Sequence, residues 1–351
     1  MRRKKKSSGL GRFLLLTLVF LIAVAAVVLL SLHFAPGNSP DTPSSTDTDQ
    51  SVTDGSVQDA PTAENGIDKE KLRTLAASVY ADQTFAAGYL AVYDRTAGVM
   101  LFEKDAKTRI TAASTTKLLT ALTLLEYVSD DTVFTVGSEL SMVGAGSSSA
   151  KLVKGQKLSV EEILDALLIP SGNDAAYVIA AHVGRNLSGD PQITDRDAVN
   201  LFLEKMNDKA RALGVKDSLF TCPDGYPDGK QYTTAEDMMT VAVAAAGNAT
   251  IRKTVEKTYS EIVFPDGTIR GYVNTNQLMV PSSSYFYEGT FGMKTGSTPG
   301  AGSCLIAGAE AYGHELIVAL FKAPDNATRY TDSQKALNLG FEAVERLQNA
   351  E

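Results

Sequence analysis

The sequence predicts an α+β domain in which one antiparallel sheet is built from both ends of the domain and flanked by helices. An all-helical subdomain is expected to be inserted between the two parts of the sheet. Two observations predict this class. Strand-like runs lie within residues 88–105 and 261–323, and helical periodicity fills much of the segment between them. One sheet covered by helices is the simplest architecture for this order of elements.

The N-terminal 34 residues have the composition of a membrane anchor. Residues 1–12 carry six basic side chains and no acid, and residues 13–34 contain no Asp, Glu, Lys or Arg. This apolar run is long enough to cross a bilayer, and LSLHFAPG is a poor cleavage site, so an uncleaved anchor is favoured over a signal peptide. The basic flank keeps the N-terminus cytoplasmic and places the rest of the chain outside the cell membrane.

A disordered spacer is predicted for residues 35–67, which carry six acids, no base and few apolar side chains. The charges of the basic tail and the spacer cancel, so the net charge of −8 belongs to the folded domain, residues 68–351. An acidic domain argues against a nucleic acid as partner.

The elements of the domain follow in order. After a short helical lead, GYLAVYD and VMLFEKD flank a Gly-bearing turn and predict a β-hairpin. Residues 112–128 are apolar on most faces and predict a buried helix. Helical periodicity continues within a subdomain of roughly residues 105–255. The later elements are predicted to be helices at 159–169, 198–214 and 235–247, a hairpin around Asp266-Gly267, three strands within 290–323 and a final helix at 331–348.

Cysteine and histidine give no sign of a metal or cofactor site. Cys222 and Cys304 are too few for a disulfide framework and are expected to be buried thiols. The three histidines lack neighbours at zinc-ligand spacing, so neither a metal nor a cofactor is predicted.

Ser114 and Lys117 are the first candidates for chemistry, because they lie three residues apart where the buried helix begins. At this spacing both side chains lie on one helical face, and a neutral lysine could take the proton of the serine hydroxyl. The pattern is weak alone, since Ser-x-x-Lys recurs at Ser148–Lys151 in a Gly/Ser-rich loop. A helix cap is the simpler interpretation of Ser114 taken by itself.

Two more motifs follow Ser114 and Lys117 in the chain. Ser171-Gly172-Asn173 lies on a turn between two helices, and Lys294-Thr295-Gly296 ends a predicted strand. Each is common alone as a turn or a solvated strand end. In this order, however, the three motifs are the signature of serine penicillin-binding proteins and β-lactamases.

The surrounding blocks resemble the low-molecular-mass D-alanyl-D-alanine carboxypeptidases over roughly residues 68–345. Among these blocks are LSVEEILDALLIPSGNDAAYVIA and GMKTGSTPGAGSCLIAGA. The resemblance implies a DD-peptidase-like fold. It also implies a substrate, the peptidoglycan stem peptide ending in D-Ala–D-Ala, and acylation by β-lactams. The short segment after Gly296 is expected to lack the second β-rich domain that many members carry.

The resemblance also implies a role for each matching residue. Ser114 would be the nucleophile, Lys117 its base and Ser171 a proton relay to the leaving amine. Asn173 would hold the substrate amide, and Lys294 would keep Lys117 neutral. The N–H groups of Ser114 and Ser297 would form the oxyanion hole. The substrate site would be lined by Thr295, which binds the terminal carboxylate, with Gly296, Ser297, Thr298 and Arg329.

Other functions remain open at this point. A Ser-His-Asp hydrolase is disfavoured, because neither His182 nor His314 accompanies a nucleophile-elbow motif. A class A β-lactamase needs a further loop glutamate, and Glu204, the nearest candidate, lies in a periodic helix. A membrane-anchored penicillin or peptidoglycan sensor would use the same pocket without turnover. Transpeptidase or endopeptidase activity would share the acyl-enzyme.

Overall fold

The computed structural model describes residues 66–226 and 229–350. The predicted basic tail and membrane anchor, and all but the last residues of the predicted spacer, lie outside these ranges. Within them, no helix is both long and apolar enough to cross a bilayer.

The centre of the domain is a five-stranded antiparallel sheet. Its strands are β1 (Tyr89–Asp94), β2 (Val99–Lys104), β7 (Thr290–Thr298), β8 (Gly302–Ala311) and β9 (His314–Ala323), in the spatial order β2-β1-β9-β8-β7. The first two strands and the last three come from opposite ends of the domain, so the predicted fold class is confirmed. This order leaves β7 at one edge of the sheet.

Alternation along the central strand β9 divides the core into two layers. Leu316, Val318 and Leu320 face the layer beneath the terminal helices, whereas Ile317 and Phe321 face the helical subdomain. A strand buried on both faces has an almost continuous apolar sequence, and LIVALF has this pattern.

Two helices from the ends of the domain cover one face of the sheet. They are α1 (Lys69–Tyr80) and α8 (Asn326–Gln348), and they pack on each other and on the sheet. The α8 helix begins earlier than the predicted residue 331. Asp325 caps it, since the carboxylate accepts the Thr328 N–H at 2.7 Å.

The opposite face carries the inserted subdomain. Its helices are α2 (Lys117–Leu124), α3 (Val160–Leu168), α4 (Asn173–Ser188), α5 (Asp195–Ala212), α6 (Ala235–Gly247) and α7 (Ala249–Val255). Hydroxyl side chains cap three of them, and Ser159 with Glu162 forms a complete capping box on α3.

The inserted segment is not built of helices alone. Strands β3 (Val133–Thr135) and β4 (Lys157–Ser159) form a two-stranded sheet that the sequence pattern did not predict. Strands of three residues are too short for alternation to be read. The predicted hairpin around Asp266-Gly267 is present as β5 (Tyr259–Val263) and β6 (Ile269–Val273), but it forms a separate sheet.

Candidate active site

Ser114 lies in a short 3₁₀ helix, Ala113–Thr116, that leads directly into α2. The predicted helix at 112–128 is therefore divided and ends at Leu124. Ser114 is half-buried, and Lys117, the first residue of α2, has an exposure of 0%. The Lys117 amine must consequently form its hydrogen bonds with groups inside the protein.

Three oxygen atoms surround the Lys117 amine. Its Nζ lies 2.9 Å from Ser114 Oγ, 2.7 Å from Asn173 Oδ1 and 2.8 Å from the carbonyl oxygen of Asp224. The oxygens of Asn173 and Asp224 can only accept hydrogen bonds. In a neutral amine they use both N–H groups, which leaves the nitrogen lone pair for the Ser114 hydroxyl. This arrangement would allow a neutral Lys117 to act as a base toward Ser114.

Burial favours the neutral form of this amine. It lowers the pKa of Lys117 to about 8, although the negative charge of Asp224 and, less strongly, Cys222 and Asp174 raise it. The pKa of Lys294 is also lowered well below its usual value, mainly by burial and further by the charges of Lys117 and Arg329. Burial, rather than Lys294, is therefore the main cause of the low pKa of Lys117.

The turn before α4 carries Ser171 and places Asn173 against Lys117. Ser171 has a left-handed φ of 65° and is 4% exposed, and no described residue hydrogen-bonds its Oγ. A non-glycine residue in this conformation is uncommon and often marks a functional site. Gly172 allows the close turn, because a Cβ there would lie 2.6 Å from the carbonyl oxygen of Ala166.

The third motif lies on β7. Lys294 and Thr295 are buried, and the hydroxyl of Thr295 lies 2.6 Å from that of Thr275. Ser297 is exposed and Thr298 half-buried, so the strand turns from the core toward solvent over these residues. A Cβ at Gly296 would lie 3.0 Å from the Ser114 nitrogen. The glycine thus lets the edge strand approach the 3₁₀ helix closely.

Arg329 lies in the first turn of α8, not before the helix as the sequence suggested. It is 7% exposed, and its guanidinium donates to Ser297 Oγ at 3.1 Å and to the carbonyl oxygens of Gly296 and Cys304. The structure therefore brings Arg329 to the same segment of β7 as the other predicted residues.

Asp224 also contacts the Lys117 amine, and no sequence motif predicted this contact. This residue lies in the loop 221–226, which we call the Asp224 loop, and its carbonyl oxygen accepts from Lys117. The only local signal was Pro223-Asp224-Gly225, a common turn sequence. Backbone acceptors leave no residue-type signature, since every residue carries a carbonyl group.

The second Ser-x-x-Lys copy supports the site without repeating its chemistry. The carbonyl oxygen of Ser148 accepts the Asn173 N–H at 2.9 Å, and Ser149 donates to Asp174. Lys151 is exposed. The burial that favours a neutral amine at Lys117 is therefore absent at Lys151.

The side chains that a Ser-His-Asp hydrolase or a class A β-lactamase would use have contacts with residues other than Ser114 and Lys117. His314 pairs with the buried Asp94 at 2.6 Å, between β9 and β1, and His182 packs against Phe134. Glu204 is exposed on α5. Cys222 and Cys304 are both buried thiols, as expected.

Comparison with known proteins now decides the family. The profile of the D-alanyl-D-alanine carboxypeptidases, peptidase family S11, matches residues 76–325. The chain belongs to this family. It is 33% identical over 277 residues to the D-alanyl-D-alanine carboxypeptidase of Streptomyces sp. strain K15, covering 76% of this chain and 91% of the relative.

Solved structures agree with this membership. The crystal structure of the Streptomyces K15 DD-transpeptidase superposes with a TM-score of 0.66 at 32% identity, covering 74% of this chain and 98% of that one. Penicillin-binding protein D2 from Listeria monocytogenes, in its ampicillin-bound form, gives a TM-score of 0.60 at 26% identity. This match covers 74% of this chain and 99% of the Listeria chain.

Proposed function

We propose that this serine hydrolase removes the terminal D-alanine from peptidoglycan stem peptides through an acyl-enzyme on Ser114. The observation that carries the proposal is the placement of the Lys117 amine. It is buried, 2.9 Å from Ser114 Oγ, and bound on two other sides by oxygens that only accept. A hydroxyl beside such a base is an activated nucleophile.

The proposed reaction has two halves. Lys117 takes the proton of Ser114, whose oxygen attacks the carbonyl carbon of the D-Ala–D-Ala bond. The N–H groups of Ser114 and Ser297 stabilise the oxyanion. As the C–N bond breaks, Ser171 relays the proton held by Lys117 to the departing D-alanine amine, so that Lys117 is neutral again. Water then attacks the ester, which frees the shortened peptide and restores the Ser114 hydroxyl.

Positive charge at β7 supports recognition of a peptide with a free C-terminal carboxylate. Lys294, Thr295 and Arg329 converge on the strand segment beside Ser114. A bound carboxylate would compensate the charge of the buried Arg329 guanidinium and favour the charged form of Lys294, and the hydroxyl of Thr295 can donate to it. Asn173, which begins α4, would hold the substrate amide with its NH₂ group.

Acylation by β-lactams follows from the same geometry. A penicillin carries a strained amide and a nearby carboxylate, so it presents the groups that this site would recognise in the peptide. The Listeria relative has been solved in an ampicillin-bound form. We propose that Ser114 forms the corresponding covalent adduct and that its hydrolysis is slow.

The test of the proposal is the Ser114→Ala variant with a peptide ending in D-Ala–D-Ala. Release of free D-alanine and labelling by fluorescent penicillin should both fall by at least about 10³-fold, because the nucleophile is lost. The control is Ser148→Ala, the serine of the second Ser-x-x-Lys copy, which should retain both. D-alanine release by Ser114→Ala at the parental rate would disprove the assignment.

Three alternative functions would give other results. Labelling of the parent protein without release of D-alanine would favour a penicillin or peptidoglycan sensor. Transfer of the acyl group to an added amine would indicate transpeptidation, the activity for which the Streptomyces K15 DD-transpeptidase is named. Rapid hydrolysis of a chromogenic cephalosporin would indicate a β-lactamase instead.

We further propose that the enzyme is a single-pass membrane protein with its catalytic domain on the cell-wall side. The charge-free run at residues 13–34, the basic flank at residues 1–12 and the acidic spacer support this arrangement. Peptidoglycan lies outside the cytoplasmic membrane, so a tether of this kind would place the domain near its substrate.

A further inference from the structure

The Asp224 loop, residues 221–226, is fixed against the residues that carry Ser114 and Lys117. The Thr120 hydroxyl of α2 donates to the Pro223 carbonyl oxygen at 2.5 Å. Gly225 is so close to the 3₁₀ helix that a Cβ there would lie 1.8 Å from the Ala113 carbonyl oxygen. The position of Asp224 relative to Lys117 is therefore tightly determined.

The Asp224 side chain is wholly buried and only partly satisfied. Its exposure is 0%, and one carboxylate oxygen accepts the Tyr226 N–H at 2.9 Å. The other oxygen, Oδ2, accepts no hydrogen bond from any residue in the described ranges. A buried carboxylate in this state is costly unless a cation lies nearby. Lys117, which the backbone of Asp224 contacts, is such a group.

We infer that Asp224 is a positioning residue for Lys117 with two separate actions. Its carbonyl oxygen orients the amine, and its carboxylate stabilises the ammonium that forms when Lys117 takes the Ser114 proton. The inference rests on the proposed function, because it assumes that Lys117 is the base of acylation. The carboxylate would thereby determine the pH range in which the enzyme is acylated.

The other charged groups around Lys117 support this assignment. The carboxylate of Asp174, on α4, accepts four hydrogen bonds, which stabilise its charge. The donors are the N–H groups of Ala150, Leu152 and Ala175 and the Ser149 hydroxyl. The charges of Lys117 and Arg329 lower the pKa of Lys294, on β7, in addition to its burial. The Cys222 thiol lies in the same loop as Asp224. Among the groups that raise the pKa of Lys117, Asp224 has the largest effect, ahead of Cys222 and Asp174.

The two consequences of removing this charge have opposite signs. Without the carboxylate the pKa of Lys117 falls, so more of the amine is neutral at low pH and acylation there becomes faster. The amine is also a weaker base, so the maximal rate at high pH becomes lower. A variant that lacks the charge should therefore have a pH profile that crosses that of the parent.

The experiment measures the rate of acylation of the full-length chain by fluorescent penicillin from pH 5.5 to 10. The Asp224→Asn variant keeps the carbonyl oxygen and a side-chain acceptor for the Tyr226 N–H. The parent profile should have a midpoint near pH 8. The midpoint for Asp224→Asn should lie about one pH unit lower. At pH 6 about tenfold more of the Lys117 amine is then neutral, so acylation there should be faster, by less than tenfold because the amine is a weaker base. Glu204→Gln removes the same charge from an exposed site on α5 and should keep the parental midpoint.

Each result has a definite meaning. An unchanged midpoint in Asp224→Asn, or an equal loss of rate at every pH, would overturn the inference, because a structural role alone does not move the midpoint. If Asp224→Asn does not fold, Asp224→Ser tests the same direction of shift with a smaller side chain. Failure of the parent itself to be labelled would instead disprove the proposed function.

Discussion

At the scale of single residues, the site depends on the contacts between one buried amine, that of Lys117, and three oxygen atoms. Lys117 has no contact with solvent, so the free energy of burying its charge favours the neutral base. Asn173 and Asp224 fix the direction of its N–H groups. The charge state of Lys117 is thus sensitive to any charged group that replaces Asn173.

Asn173→Asp tests this sensitivity. The change is nearly isosteric and places a negative charge where Asn173 Oδ1 now lies, 2.7 Å from the Lys117 amine. An opposite charge at this distance stabilises the ammonium, so the pKa of Lys117 should rise above about 8. Acylation is proposed to need the neutral amine, so the midpoint of its pH profile should move upward. The rate at pH 7 should fall at least about tenfold.

The control for Asn173→Asp is the double variant with Asp224→Asn, in which one negative charge is added and one removed. Its midpoint should lie between those of the two single variants. A midpoint of Asn173→Asp equal to or below that of the parent would show that Lys117 is not the group whose titration limits acylation.

At the scale of elements, the close approach of loop, helix and strand holds the three motifs together. Gly225 lets the Asp224 loop approach the 3₁₀ helix closely, and Gly296 lets β7 approach the same helix. Both contacts involve backbone atoms, which cannot move aside as the end of a flexible side chain can. The position of Ser114 therefore depends on two residues that have no side chain.

Gly225→Ala should consequently affect both stability and activity. The new Cβ would overlap the Ala113 carbonyl oxygen, and alanine is also strained at the φ of 76°. We expect the free energy of unfolding to fall by about 3 kcal/mol, since strain of about 1 kcal/mol is added to a backbone clash. Denaturant unfolding and penicillin labelling measure the two effects, and labelling should slow at least about tenfold.

Gly267→Ala is the matched control for Gly225→Ala. Gly267 has a φ of 80°, but no atom lies within 4 Å of its added Cβ. This variant should lose only about 1 kcal/mol and keep the parental labelling rate. Equal effects of the two substitutions would mean that the contact with Ala113 does not position Ser114.

At the scale of the whole molecule, the first and last helices of the domain pack against each other. The α1 and α8 helices, far apart in sequence, pack together over the sheet, and the Tyr80 hydroxyl donates to the Ala336 carbonyl oxygen at 2.6 Å. Burial raises the pKa of Tyr80, so its hydroxyl remains a donor at physiological pH. The start of the domain, where the predicted spacer ends, is therefore packed against its C-terminal helix.

The proposed membrane anchor gives the prediction that belongs to this scale. The full-length chain should sediment with membranes and be released by detergent but not by high salt, since an apolar span is held by lipid. Protease added outside intact spheroplasts should remove the catalytic domain. A deletion of residues 13–34 should remain in the cytoplasm. Recovery of the full-length chain in the soluble fraction would contradict the proposal.

The sequence by itself determined the fold class and the order of the three motifs. The β-rich runs LAVYD and LIVALF and the helical periodicity at 159–169 are local patterns, so these elements could be predicted from neighbouring residues. Motif resemblance also named Arg329, which the structure places beside Ser297. The short strands β3 and β4 were missed, because three residues give too little pattern.

Only the tertiary structure decided which groups surround the amine of Lys117. Asn173 and Asp224 lie 56 and 107 residues away along the chain, and the Asp224 contact is made by a backbone carbonyl that every residue possesses. The sequence motifs had already favoured Ser114 over Ser148, and the tertiary structure added the physical difference that Lys117 is buried and Lys151 is exposed. Burial and long-range contacts depend on how distant segments pack, and no local sequence pattern encodes that packing.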